Sequence, residues 1–592
     1  MKLKAFLVEL KRRHVYRVAV AYCVVAWLFI QIATQVFPFF DVPNWAVRLV
    51  VLAIIIGFPA ALGIAWVFEL TPRGLKRAAD LAPDEHTRRW SSQVFAILII
   101  AVALLATGLF IFQRTRSKTV SLPATTVVAP ATMLGKSIAV LPLRNESGDP
   151  ADDYFSDGLT EEIIAALAQI KGLKVIGRSS SFQFKNRTDD NKKVGRKLGV
   201  SNLLDGTVRK QGDRVRIVAE LVNTDDGSQV WSRTFDGELK DIFALQAEIA
   251  QAAARSLELT LLASDDKSTN KGFTESVDAH NAYLQGHFYF QRRNPEDYRK
   301  AVKFFDEAIR LDPDYALAYA ERSEAWTWIG DLSSEEQKEA WATAATDAEK
   351  AVGIDPDLAE AHAALGWVRF FVQWKFTEGL AELRRAKDLS PWNATASDLL
   401  ARVVVYIGRF EEAEKMARQA IELDPLAYQA RISLARTLYA QGKLDEAEDV
   451  GRKAAELQPT AAGSRRWQVI VAVERGAAET ALHEAQMEPN EGYQHFELAL
   501  AYYAQGNRSA SDGALAEMIE RDKEYLAYQI AEVYAWRGEP DKAFEWLEIS
   551  FHNHDSGTLS IVIDRLLRNL HQDERYKALV ARLGLPMQIR AK

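Results

Sequence analysis

Cysteine is almost missing from this sequence. The single Cys23 among 592 residues excludes an intrachain disulfide, and its place in an apolar stretch leaves the rest of the chain without a thiol for a zinc ribbon or nucleophilic catalysis. GxxxxGK[ST], HExxH and GxSxG are also absent, so phosphate-cradle, zinc-protease and hydrolase-elbow sites lack their usual residues. Most of the chain has no surplus of positive charge. Up to Lys118 there are 15 Lys/Arg against 6 Asp/Glu, and beyond it 58 against 74. A net acidic region repels phosphate backbones, so no nucleic-acid partner is expected. The length exceeds what one core usually supports, about 250–300 residues, and predicts at least three units.

Charge is missing altogether from three segments, 18–40, 49–68 and 94–112, each near the roughly 20 residues that span a bilayer as a helix. They predict a membrane region over 1–118 with three transmembrane helices and the lipid bilayer as a partner. The first segment is too long and ends too late for a cleaved signal peptide. Trp45, Trp66 and Trp90 lie near the segment ends, where indole rings favour the headgroup layer. Lys2, Lys4, Lys11, Arg12, Arg13 and Arg17 precede the first segment, and Arg73, Lys76, Arg77, Arg88 and Arg89 lie between the second and third. Only Arg48 separates the first two. Cationic flanks stay cytoplasmic, which predicts a cytoplasmic amino terminus and, for a bacterial inner membrane, a periplasmic carboxyl-terminal region; Arg114, Arg116 and Lys118 oppose this orientation.

Residues 119–135, rich in Thr, Ala, Pro and Val without periodicity, read as a flexible linker. A small α/β domain is predicted over 136–262. Strands are expected at Ser137–Leu143, Leu173–Ser180 and from Asn202 to Arg209. Helices are expected at Leu159–Ile170, Lys192–Leu198 and Asp241–Leu259. Gly212–Phe235 reads as a hairpin with Val215, Ile217, Ala219 and Leu221 on one face and a turn at Asp225-Asp226-Gly227. The stretches KSIAVLPLRNESGDPADDYFSDGLTEEI, VIGRSSSFQFK, LGVSNLLDGTVRKQGDRVRI and QVWSRTFDGELKDIFALQAEIA resemble the TolB-like amino-terminal domain of bacterial membrane-anchored repeat proteins. That resemblance implies an accessory or sensory module and brings no catalytic residues. Asp152, Asp153, Asp157, Glu161 and Glu162 invite a cation site, but carboxylates at a helix start complement its positive end. Ser179, Ser180 and Ser181 near Lys185 invite a Ser/Lys pair, but no base is evident and a polar strand-end loop is the plainer reading.

Helix-ending prolines recur at Pro313, Pro356, Pro391, Pro425 and Pro459, separated by 43, 35, 34 and 34 residues. A 34-residue period is that of the tetratricopeptide repeat. It predicts an all-α superhelix over 276–586 with six or seven helix pairs and a capping helix near Tyr576–Leu583. In the two cleanest copies Leu400-Ala401, Gly408, Ala413, Ala420 and Pro425 recur as Leu434-Ala435, Gly442, Ala447, Ala454 and Pro459. Small residues let paired helices approach, glycine turns the chain and proline ends each pair. The long first interval is assigned to an extended turn at DLSSEEQKEAW, and the pattern fades after Pro459 near Ala478.

Such a stack presents a concave face to protein or peptide partners. Repeat register places Arg402, Tyr406, Arg436, Tyr439, Tyr528, Glu532 and Trp536 as candidates to line it, aromatic and arginine side chains being favoured anchors. His552-Asn553-His554-Asp555 is the only tight histidine group, and a lone HxH in a loop is more often solvated than metal-bound. No catalytic residue, metal or cofactor is predicted. The expectation is a membrane-tethered protein-binding scaffold. An envelope sensor-regulator acting through a separate partner is the alternative, and an enzyme of unrecognised motif the third reading.

Overall fold

In the computed structural model of this chain the described residues are 136–586, except 171, 188, 258–273 and 333–335. They also include two short antiparallel strands, β1 (Phe68–Thr71) and β2 (Gly74–Arg77). Apart from Phe68, the three uncharged segments and the linker lie outside the described residues. Among the described residues no helix is long and apolar enough to cross a membrane. The chain divides into two compact units, Met1–Ala131 and Thr132–Lys592, and the second holds both a small sheet domain and a helical array.

The sheet is built around β3 (Ser137–Val140), whose residues are all buried. It runs parallel to β5 (Lys174–Val175) on one side and β6 (Asn202–Gln211) on the other. Two antiparallel pairings then add β7 (Arg214–Asn223) and β8 (Gln229–Glu238), while β4 (Arg144–Asn145) joins the far end of β6. Val215, Ile217, Ala219 and Leu221 are buried together, as alternation along a half-buried strand demands. They share a core with Leu159 and Ile163 of α1 (Asp153–Ala168) and Ile249 and Ala253 of α4 (Ile242–Ser256). On the opposite face Val194 and Leu198 of α3 (Asn191–Leu198) pack against Ala139 and Leu203.

The expected strand over Leu173–Ser180 is mostly not one. Only Lys174 and Val175 pair; the backbone stays extended at Gly177 and then enters the short helix α2 (Arg178–Ser181). Tertiary contacts override the local preference here, because the amide and hydroxyl of Ser180 find their partner in the helical array.

Gly206 sits where β6 crosses β7 closely: a Cβ there would lie 2.0 Å from the carbonyl oxygen of Val218 and 3.1 Å from Leu143. Backbone cannot step aside as a flexible side chain would. Gly206→Ala should therefore destabilise the sheet by roughly 1–3 kcal/mol, the usual range for overpacking. A lowered urea midpoint with unchanged slope would register it.

The array comprises eight helical hairpins among the described residues. They are α5/α6 (Val277–Phe290, Pro295–Leu311), α7/α8 (Ala316–Leu332, Gln337–Ile354), α9/α10 (Ala359–Trp367, Phe376–Leu389) and α11/α12 (Ala394–Tyr406, Phe410–Leu423). There follow α13/α14 (Tyr428–Ala440, Leu444–Leu457), α15/α16 (Arg466–Glu474, Ala478–Gln486), α17/α18 (Glu491–Ala504, Arg508–Asp522) and α19/α20 (Ala527–Trp536, Pro540–His552). A π-helical turn, Val368–Val372, extends α9, and α21 (Glu574–Leu583) ends the array.

Eight pairs exceed the six or seven expected, because the faded stretch after Pro459 still folds as α15/α16, each nine residues long. The long first interval also differs from expectation. Helices α7 and α8 run to 17 and 18 residues, against 13 and 14 for α11 and α12, so the insertion lengthens the helices as well as the turn. Ala401, Ala413 and Ala420 are fully or almost fully buried where helices meet, the close approach that small residues permit.

Sheet domain and array share one core. Residues of α1 and α4 belong to the same buried cluster as Leu284 of α5 and Phe305 of α6. Contact between α1 and α5 is close enough that a Cβ on Gly158 would meet Leu284 at 2.5 Å.

Candidate binding channel at the junction of sheet domain and array

Two points tie the sheet domain to the array, far apart in sequence. At the first hairpin, His287 lies between Glu161 of α1 (2.6 Å) and Glu321 of α7 (2.7 Å). Burial opposes the charge on His287, but the two carboxylates raise its pKa to about 10. Burial likewise opposes the charge of Glu161, which His287 and Arg178 nevertheless hold at a pKa of about 2. His280 makes a second pair with Glu162 at 2.5 Å.

The other tie lies at the turn after α12. Gly177 donates its amide to the carbonyl of Leu423 (2.8 Å), and Ser180 donates its amide (2.7 Å) and hydroxyl to Asp424. The same hydroxyl accepts the amide of Leu426 at 2.7 Å. Ser180 is completely buried and Asp424 nearly so. The array thus bends round until its fourth hairpin meets the domain that precedes its first.

That closure frames a half-open channel along the inner face. One chamber, of 420 Å³, is walled by Arg178 and Phe182 of the sheet domain and by Arg293, Tyr298, Trp328 and Arg402 of the array. A second chamber, of 310 Å³, continues past Trp341, Phe371, Tyr406 and Arg436. The two share Thr327, Trp328, Trp367, Arg402 and Gln429, so they adjoin. Residues Asn553–Ser556 close the far side, where His554 stacks on Trp374 with ring centres 4.2 Å apart.

Of the residues singled out from the sequence, Arg402, Tyr406 and Arg436 come together on the channel wall. Arg402 pairs through Nε with Asp398 (3.0 Å) and lies 5.4 Å from the Trp367 ring centre, while Arg436 donates to the Tyr406 hydroxyl at 2.7 Å. Tyr439, Tyr528 and Glu532 are placed elsewhere: they are buried within the array, and Trp536 is half-buried against the same core. The reasons are geometric. Tyr439 stands one residue before the 34-residue equivalent of Tyr406, about 100° round the helix. Tyr528 and Glu532 are covered by the segment after α20, where Asp564 accepts the Tyr528 hydroxyl at 3.0 Å.

The remaining candidates resolve into structural contacts. Lys185 pairs with Asp157 at 2.8 Å, not with a serine, and Lys210 pairs with Asp152 at 3.3 Å. His552 is exposed, His554 is stacked, and Asp555 accepts the amides of Tyr528 and Gly557. Among the described residues no group of three or more His, Cys, Asp or Glu is arranged to hold a metal ion.

Sequence reasoning missed Arg178, Arg293, Trp328 and Trp367. One signal for Arg293 was present. In five hairpins a glycine stands two residues before the second helix, at Gly408, Gly442, Gly476, Gly506 and Gly538, with φ between 71° and 78°. The first and third hairpins put Arg293 and Trp374 there instead, both at φ 53°. A bulky residue in the left-handed region is strained and often marks a functional position.

Tetratricopeptide-repeat models match residues 282–315 and 399–462, and the helical array is made of such repeats. The second domain of HilA/YgeH-like transcriptional regulators matches residues 134–252. "Putative adenylate cyclase 3" of Rhizobium meliloti (strain 1021) is 36% identical over 187 residues, 32% of this chain and 32% of that protein. Small glutamine-rich tetratricopeptide repeat-containing protein 2 of Saccharomyces cerevisiae is 30% identical over 100 residues, 17% of this chain and 26% of that one. The chain therefore spans about a third or less of the length of these relatives. Among solved structures, Pseudomonas aeruginosa pilF is 18% identical, covering 37% of this chain and 98% of its own, with TM-score 0.29. PilW, described as a type IV pilus biogenesis factor, is 19% identical, covering 41% and 93%, with TM-score 0.27.

Proposed function

We infer that this protein is a membrane-tethered scaffold that captures a protein or peptide partner in the channel of its repeat array. The observation that carries the inference is the pair of adjoining chambers on the inner face, lined by Trp328, Trp367, Tyr406, Arg402 and Arg436. Two linked chambers suit an extended segment, and aromatic and arginine side chains supply anchoring energy out of proportion to their number. The uncharged segments 18–40, 49–68 and 94–112 are the proposed tether, and the Lys/Arg distribution around them favours a cytoplasmic amino terminus with the array on the periplasmic side of a bacterial inner membrane. The resemblance of residues 136–262 to TolB-like modules supports an accessory, non-catalytic part for the sheet domain.

A second reading, an envelope sensor-regulator working through a separate partner, is favoured by one observation. The sheet domain, which matches a regulator domain, is fastened to the array at both His287 and Asp424 and contributes Arg178 and Phe182 to the channel wall, so a partner held there would touch it directly.

Photocrosslinking separates the channel from the outer surface. With a benzophenone amino acid at Gln429 in the channel, the intact protein in its membrane should form a discrete adduct, which Arg402→Ala with Arg436→Ala should abolish. The same probe at Lys415, exposed on α12, should form none. Adducts from Lys415 alone would overturn the assignment.

A further inference from the structure

Three guanidinium groups line the larger chamber, and their terminal nitrogens make no hydrogen bond or ion pair with any described residue. Arg178 uses only Nε, on Glu161 at 2.6 Å, and Arg402 uses only Nε, on Asp398 at 3.0 Å. Arg293 makes no side-chain hydrogen bond or ion pair with any described residue, although it lies in the same cavity and feels the charges of the other two. Arg178 and Arg402 are each neutralised by one carboxylate, and Asp424 is committed to Ser180. The remaining acid in the wall is Glu324. Its surroundings are Arg293 and His287 from the first hairpin, Glu321 on its own helix and Glu360 of α9; burial foremost, then Glu321, raises its pKa to about 7. Arg293 therefore has no ion-pair partner among the described residues, and below neutrality Glu324 supplies no full counter-charge to it.

The backbone points to the same residue. Arg293 occupies, at φ 53°, the turn position that five other hairpins give to glycine. Among the described residues its guanidinium forms no hydrogen bond or ion pair that would hold it there. Strain retained at a cavity wall without a structural return is the pattern of a functional side chain.

We propose that this chamber receives an acidic residue or the carboxyl terminus of the partner polypeptide, its carboxylate engaged by Arg293 together with the free terminal nitrogens of Arg178 and Arg402. Guanidinium forks match a carboxylate in a bidentate fashion. Phe182, Tyr298, Trp328 and Trp367 supply apolar faces for the neighbouring side chain. Because Arg178 comes from the sheet domain and the other two from the array, the bound carboxylate bridges the two. The proposal rests on the channel being the partner site and specifies what that partner carries.

The test is selection from a random peptide library by the purified full-length protein in detergent. Wild type should enrich Asp, Glu or a free carboxyl terminus beside an aromatic or aliphatic residue. Arg293→Gly restores the residue found at the equivalent turns, so its thermal midpoint should stay level or rise. It should nevertheless lose the acidic preference and bind the selected peptide at least tenfold more weakly, with Arg293→Lys in between. Peptides retained without charge preference, or with a basic one, would overturn the proposal while leaving the channel as the partner site. Retention of no peptide at all would overturn both.

Discussion

Replacing Asp424 with alanine is expected to release the sheet domain from the fourth hairpin, at a cost of roughly 3 kcal/mol. The magnitude follows from what the substitution strands. The amide and hydroxyl of Ser180 both donate to this carboxylate, and Ser180 is completely buried. Hydrogen bonds to charged groups are worth about 1.5–3 kcal/mol, and a donor left unsatisfied in a buried site bears its desolvation cost in full. Ser180→Ala should be milder. At Asp312 and Asp355, which hold the same place in their hairpins, the carboxylate accepts the amide two residues on, from Asp314 and Asp357, both at 3.0 Å. At Asp424 the hydroxyl of Ser180 takes the amide of Leu426 in that bond's place. Without the hydroxyl, Asp424 can close the local turn as its counterparts do, so the loss should stay near 1 kcal/mol. Asp424→Asn keeps an acceptor and should fall between, the more so because burial already pushes the Asp424 carboxyl pKa up. Native-state hydrogen exchange is the direct measurement. The amides of Gly177 and Ser180 should lose protection by about 100-fold in Asp424→Ala and less than tenfold in Ser180→Ala. Equal losses in the two variants would mean that the carboxylate is not the anchor.

That clasp also marks where sequence legibility stops. The hairpin face of Val215, Ile217, Ala219 and Leu221, the helix at 192–198 and the terminal helix near 576–583 were readable, because each follows from periodicity within a short window. The 34-residue spacing likewise gave the repeats. Asp424 and Ser180 are 244 residues apart, and nothing local distinguishes Asp424 from Asp312 or Asp355. For the same reason the sequence reads Leu173–Ser180 as one strand, whereas contact with the array turns its second half into a helix. At the channel, register alone placed Arg402, Tyr406 and Arg436, but it does not show how far the array curls or what covers its end. Hence Tyr528 and Glu532, in equally regular helical surroundings, lie beneath the carboxyl-terminal segment.

Glu532 accordingly becomes a stability determinant, and Arg466→Ala should cost about 3–5 kcal/mol, the range for removing one partner of a buried ion pair. Glu532 is fully inaccessible, and among the described residues its one ion-pair partner is Arg466, at 2.5 Å. Burial, reinforced by the nearby charge of Asp564, pushes the Glu532 carboxyl well above its ordinary value, and Arg466 works the other way. Arg466 also covers the Phe496 ring at 4.9 Å, so truncation removes packing as well as charge. The sign of the pH dependence distinguishes these two losses. A carboxyl whose folded-state pKa is raised favours the folded state at low pH, and that contribution is lost as pH rises through the raised value. Without Arg466 the value rises further, since its lowering influence is gone. The deficit of Arg466→Ala against wild type should therefore widen as pH rises through the raised folded-state value of Glu532 in wild type, and narrow below it. A deficit due only to lost packing against Phe496 would not move with pH. Combining Arg466→Ala with Glu532→Gln removes the buried charge at its source and should recover more than half of the loss at pH 8 while leaving the packing part. Denaturant midpoints at pH 5 and pH 8 for the two single variants and the double supply the comparison. A deficit that is the same at both pH values, and is not relieved by the second substitution, would show that Glu532 carries no charge in the folded array.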